Sequence, residues 1–131
     1  MSDFSLSFDH VHLLSEDPQS VASWYVDKLG AKIAASGETR GAPSIRVDLG
    51  GSTIVIRGRR AGEELDKKRA LHWGTDHFGF NVTGDFNGFC DDLKKKGVPF
   101  TVDPVDFSPT TRLAFIEAPD GVIIELLQRN A

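Results

Sequence analysis

One cysteine among 131 residues excludes an internal disulfide, so the fold must be held by a packed core. An excess of basic residues is missing too: 15 lysines and arginines stand against 19 acidic residues, a net charge of −4. Neutralising a nucleic-acid backbone needs a basic face. Nucleic acid is therefore excluded as the main partner, and a small molecule takes its place. No apolar run approaches the roughly 20 residues that span a membrane, and no charged-then-apolar leader opens the sequence. The reading is a cytoplasmic protein with no membrane partner.

What is present suits one compact domain over residues 1–131. With 40% apolar residues, a chain of this length buries about two-thirds of its unfolded surface. Cys90 falls on a helical stripe with Phe86, Phe89 and Leu93, which marks it as a buried thiol rather than a nucleophile.

Strand and helix signals alternate along the chain. FDHVHLL, residues 8–14, alternates at period two, with Val11 and Leu13 on one face and His10 and His12 on the other. A helix follows, with Asp17 as N-cap, Pro18 at the first helical position, a stripe of Val21, Trp24, Tyr25 and Leu29, and Gly30 as the stop. Strands are predicted near 31–35, 44–49 and 52–57, the last two joined by a Gly50-Gly51 turn. The order then repeats. TDHFGFNV, residues 75–82, reads as a strand, and Asp85 caps a helix that Lys94-Lys95-Lys96 and then Gly97 close. Strands at about 99–102, 111–117 and 122–128 follow, with Asp120-Gly121 as the last turn.

The chain is thus an internal duplication of a βαβββ unit, of class α+β. Asp9-His10 falls on Asp76-His77, and Gly51 falls on Gly121 at a slightly larger offset, so a short loop insertion separates the two copies. The first module spans 8–57, a charged linker 58–73, and the second module 74–129. Neither unit can close a core alone. Each is expected to curl a four-stranded sheet with its helix outside, the two together forming a half-open mixed β-barrel around a cavity. Val11, Leu13, Ile54, Ile56, Phe78, Phe80, Ile124 and Leu126 would pack under the helices. The alternate positions would face the cavity, among them His10, His12, Arg57, His77, Asn81 and Glu125, with Arg46 and Asp48.

DHV near the start, DHFGF at the start of the second unit and FIEAPDGVIIELLQ at the end make the resemblance specific. Over about residues 8–128 the sequence resembles the vicinal oxygen chelate superfamily, which includes glyoxalase I, methylmalonyl-CoA epimerase, extradiol dioxygenases, fosfomycin-resistance enzymes and bleomycin-binding proteins. The resemblance implies one divalent metal ion, held by the first and last strands of each unit. Carried over by position, the ligands are His10, His77 and Glu125. Placing GSTIVIR on GVIIELL sets Val55 opposite Glu125, and valine cannot bind a metal. Glyoxalase I and the epimerase are expected to carry Glu or Gln there. Two imidazoles and one carboxylate with open positions suit Fe, Mn, Zn, Ni or Co, and the open positions can take two adjacent substrate oxygens.

His12 has Gly79 as its counterpart, so the repeat does not mark it as a ligand. His12, Arg57, Val55 and Asn81 are instead candidate substrate contacts; Arg46 and Arg112 are further cations able to orient an anion, with Arg57 preferred among the three. His72-Trp73 is a candidate rim over the cavity. The functions implied are a glyoxalase I-like lyase or isomerase, with Glu125 also serving as base, or a ring-cleaving dioxygenase. The closing motif favours the first and Val55 the second. A fosfomycin-type transferase and a drug-sequestering protein without catalysis are the alternatives, and a homodimer is implied by the resemblance.

Overall fold

Asp17 accepts a hydrogen bond from the Ser20 amide and Pro18 opens the first helix, α1 (Pro18–Leu29), which Gly30 ends in the left-handed region at φ 78°. The expected cap, first-turn proline and glycine stop are all in place. The computed structural model describes residues 3–66 and 72–130. Residues 67–71 of the predicted linker therefore lie outside the described residues.

The chain divides into two compact units, Met1–Leu65 and Asp66–Ala131. In the first, β1 (His10–Leu14), β2 (Lys32–Thr39), β3 (Ala42–Leu49) and β4 (Ser52–Arg57) form a sheet in the order β1-β4-β3-β2. In the second, β5 (Phe78–Asn81), β6 (Phe100–Ser108), β7 (Thr111–Glu117) and β8 (Ile123–Arg129) form a sheet in the order β5-β8-β7-β6, with α2 (Phe86–Lys95) between β5 and β6. The βαβββ order is thus repeated, each unit pairing its first and last strands in parallel and its other neighbours antiparallel. The fold is the α+β tandem that the sequence predicts.

Several strand bounds differ from the expectation, among them β6, which runs to Ser108 rather than ending near 102. β2 and β3 run longer because Arg40 and Gly41, at φ 50° and 81°, turn the chain in two residues; paired left-handed residues match the twist of a hairpin. β5 is shorter than 75–82, because its partner β8 starts only at Ile123, after a short 3-10 turn at Pro119–Gly121. Residues ahead of Phe78 find no ladder to join.

In the first unit α1 packs on β3 and β4, burying Val21, Ala22 and Tyr25 with Ile45, Val47, Ile54 and Ile56. In the second, Phe86, Cys90 and Leu93 of α2 are buried, as are Ile116 and Ile124 of the sheet. Each buried Val, Ile, Leu or Phe among them contributes roughly 1.5–3 kcal/mol. Val11, Leu13, Phe78 and Phe80 are only half-buried, since β1 and β5 are outer strands of their sheets. Among the described residues no helix is long and apolar enough to cross a membrane.

Cys90 is buried and burial pushes its thiol pKa up. A thiol kept neutral and out of solvent is a poor nucleophile. Native protein at pH 8 is expected to react with an aromatic disulfide reagent only at the rate of unfolding, and to release one equivalent of thiolate at once in guanidinium; rapid reaction of the native chain would contradict this placement.

Candidate functional site

The open face of the first sheet carries its chemistry in cross-strand rows. His12 pairs with Val55, which pairs with Arg46, which pairs with Ala35. His10, Thr53 and Asp48 form the next row. His10, His12, Val55, Arg46, Ser36 and Ser44 line one cleft of about 390 Å³, within the usual range for a small-molecule site. Four of the sequence-predicted residues, His10, His12, Arg46 and Val55, therefore meet in one concavity.

The His10 ring is held from behind. Its Nδ1 lies 2.8 Å from Asp9 Oδ2, and because an ionised carboxylate only accepts, Nδ1 carries the proton and Nε2 is left as a lone-pair donor. The His12 ring stands 6.0 Å away, centroid to centroid. Its pKa is lowered, first by burial and then by the positive charge of Arg57, which favours the neutral imidazole.

In the second unit the same couple recurs: His77 Nδ1 lies 2.8 Å from Asp76 Oδ2. Here the other nitrogen is engaged too, with Nε2 at 3.0 Å from Glu125 Oε1. The ring sits edge-on to Phe115, centroids 5.0 Å apart. A carboxylate faces each nitrogen, and the pKa of the ring is raised, chiefly by Asp76 and then by Glu125. Gly79, paired with Glu125, makes this approach possible: a Cβ there would stand 3.1 Å from the Glu125 carbonyl oxygen and 3.2 Å from its Cβ. The registers also set His12↔Val55 against Gly79↔Glu125 as equivalent pairs.

Arg57 and Asn81 do not join these groups. The Arg57 guanidinium donates to both carboxylate oxygens of Glu63, at 2.8 and 3.0 Å, and to the Gly58 carbonyl. Asn81 Oδ1 accepts from Arg129 at 3.4 Å. Arg112 is held by Asp106 and Asn87. Asp9 and Asp76 are ring holders that sequence reasoning missed, although the repeated Asp-His dipeptide was the signal for them. Glu63, in the charged segment after β4, carried no signal at all.

The Glu63 clamp predicts an acid-dependent contribution to stability. Hydrogen bonds from Arg57 and from the Arg60 amide hold the Glu63 carboxyl at about 2. A carboxyl depressed on folding stabilises above its unfolded value, and the contribution is lost as pH falls toward its folded value. The melting temperature of Glu63→Gln should therefore lie below that of the wild type at pH 7, with the gap closing between about pH 4.5 and 2. A gap that is constant with pH would show that the clamp does not titrate.

A model of the glyoxalase/bleomycin resistance protein/dioxygenase superfamily matches residues 7–126. The chain belongs to this superfamily. Among solved structures, the glyoxylase/bleomycin resistance protein/dioxygenase domain from Frankia sp. EAN1pec is 26% identical, with a TM-score of 0.75 over 96% of this chain and 100% of that one. A glyoxalase family protein from Bacillus cereus is 18% identical with a TM-score of 0.80, covering 100% and 99%, and another from Enterococcus faecalis is 22% identical at 0.71, covering 92% and 96%. No curated protein sequence matches the chain significantly.

Members of the superfamily commonly bind a divalent metal. Among the described residues no three His, Cys, Asp or Glu side chains gather closely enough to hold one. The donor types present nevertheless suit such an ion, most clearly in the second unit. In the second unit a single proton lies between His77 Nε2 and Glu125 Oε1, and a cation in its place would satisfy both groups, with Asp76 behind the ring as the outer partner of a metal-bound histidine. In the first unit His10 has the same backing and a free Nε2, and Val55 contributes no donor.

Proposed function

We propose that the protein is a divalent-metal-dependent enzyme of this superfamily, acting on a small molecule with two adjacent oxygens, and that it works in the cytoplasm as a homodimer. The observation that carries this reading is the repeated Asp-His couple, with its ring nitrogen facing Glu125 in the second unit. His10, His77 and Glu125 are the metal donors in this reading. The ion, one of Fe, Mn, Zn, Ni or Co, would act as a Lewis acid on the paired substrate oxygens. Asp9 and Asp76 orient the two rings, and His12 and Val55 face the substrate in the first unit's cleft.

The donor types offered are two imidazoles and one carboxylate, the set typical of oxygen-activating iron sites. Val55, which leaves the first unit with no carboxylate in that row, thus supports a ring-cleaving dioxygenase. The glyoxalase-like lyase or isomerase is the second reading, supported by the closing APDGVIIELLQ segment, and it requires Glu125 to double as the base.

Metal analysis of the purified chain tests the proposal. The wild type is expected to retain a divalent ion stoichiometrically, and His77→Ala to retain none while still folding. Oxygen uptake by the Fe-loaded protein with catechols would select the dioxygenase, and turnover of a thiol hemiacetal by the Ni- or Zn-loaded protein the isomerase. If wild type and His77→Ala alike bind no divalent ion, the enzyme reading fails and a non-catalytic binding protein takes its place.

A further inference from the structure

We propose that the cleft of the first unit binds a small organic anion, and that Arg46 grips its carboxylate. Arg46 sits mid-strand on β3 in the row Ala35, Arg46, Val55, His12. The side chains of Ala35 and Val55 can neither accept a hydrogen bond nor balance a charge. Among the described residues the Arg46 guanidinium has no hydrogen-bond or ion-pair partner. The other strand arginines all have one: Arg57 holds Glu63, Arg112 holds Asp106, and Arg129 reaches Asn81. Asp48, two residues along on the same face of β3, accepts from Thr53 Oγ1 instead.

An exposed guanidinium with its donor fork unused, lining a cleft of about 390 Å³, presents donors that a carboxylate can meet with two parallel hydrogen bonds. Ser44, one row along β3, also lines the cleft. The His12 ring closes the row with no hydrogen-bond partner of its own among the described residues. The only carboxylate lining the cleft, among the described residues, is Glu38, which pairs with Pro43 on the opposite alternation of β2. Nothing in the row of Arg46 therefore neutralises it, and the charge is left for a ligand.

Joined to the vicinal-oxygen reading, on which this part rests, the substrate class is a carboxylate-bearing small molecule with adjacent oxygens. The anion grip stands without that reading, because every residue it uses lies in the first unit.

Chemical-shift titration of the isotopically labelled full chain tests it, after dialysis against a neutral chelator. The probes are pyruvate and 2,3-butanedione, which match in size and adjacent oxygens and differ in charge. Pyruvate is expected to shift the amides of Ala35, Arg46 and Val55, with butanedione binding at least about tenfold more weakly. Arg46→Met should weaken pyruvate by about tenfold or more and leave butanedione unchanged, with Arg46→Lys between. Equal affinity for both probes, or undiminished pyruvate binding by a folded Arg46→Met chain, would overturn the proposal. Pyruvate binding retained in His77→Ala supports it, even if the wild type proves to bind no metal. Pyruvate binding lost in folded His77→Ala would place the anion elsewhere and sink it.

Discussion

Ile124→Ala is expected to destabilise the protein by about 3–4 kcal/mol and to lower its melting temperature by roughly 10–15 °C. Ile124 is fully buried in β8, a central strand, between Phe78 on one side and Ile116 on the other. Truncation to alanine removes methyl and methylene groups from a site fixed on both sides by backbone ladders, so little collapse can refill the space. Ile33 provides the comparison: it is 45% exposed on the outer strand β2, and Ile33→Ala should cost less than about 1 kcal/mol. Equilibrium denaturation of the two variants measures the difference. Equal losses would mean that the core does not lie where α2 and β8 place it.

Gly79→Ala is expected to reduce metal affinity by about 10- to 100-fold, the scale on which disturbed outer-shell geometry acts. It should also cost about 1–3 kcal/mol of stability, as overpacking does. The added methyl would lie 3.1 Å from the Glu125 carbonyl oxygen, and this obstacle is backbone, which cannot rotate aside. Relief requires β5 and β8 to part, and that separates His77 from Glu125. Gly37→Ala controls for the chemistry of the substitution, since a Cβ at Gly37 meets nothing within 4 Å. Titration with a divalent ion, followed by calorimetry, reads both variants. Unchanged affinity in Gly79→Ala would remove the glycine from any part in the site.

Period-two alternation and helix punctuation made most of the fold legible in the sequence. Asp17 and Asp85 cap their helices by accepting from Ser20 and Gly88 amides, and Gly30 and Gly97 take up positive φ just beyond them, because those roles depend on local chemistry. The hairpin at Arg40-Gly41 was hidden, since arginine rarely enters the left-handed region and gives no turn signal. The bends of β6 were equally obscure: Pro104 is tolerated there because β6 is an outer strand with shifted register.

The same division holds for the site. The repeat pairs His10 with His77, while Glu125 as a candidate donor, and the gap opposite it at Val55, come from the family resemblance. The choice between Arg46 and Arg57 comes from neither. Both fall on the open face by alternation, and only the fold of residues 58–63 brings Glu63 onto Arg57, while Arg46 has no such partner among the described residues.

In both sheets the strand made last is set between two made earlier: β4 lies between β1 and β3, and β8 between β5 and β7. On the ribosome, β1 must therefore wait without a ladder partner until a helix and two further strands have emerged, and β5 must wait likewise. A chain stopped before Ile123 would leave β5 with no strand to join and would expose the inner edge of β7. Each unit is thus completed by insertion rather than by addition at an edge, so its sheet stays unfinished until its final strand leaves the exit tunnel.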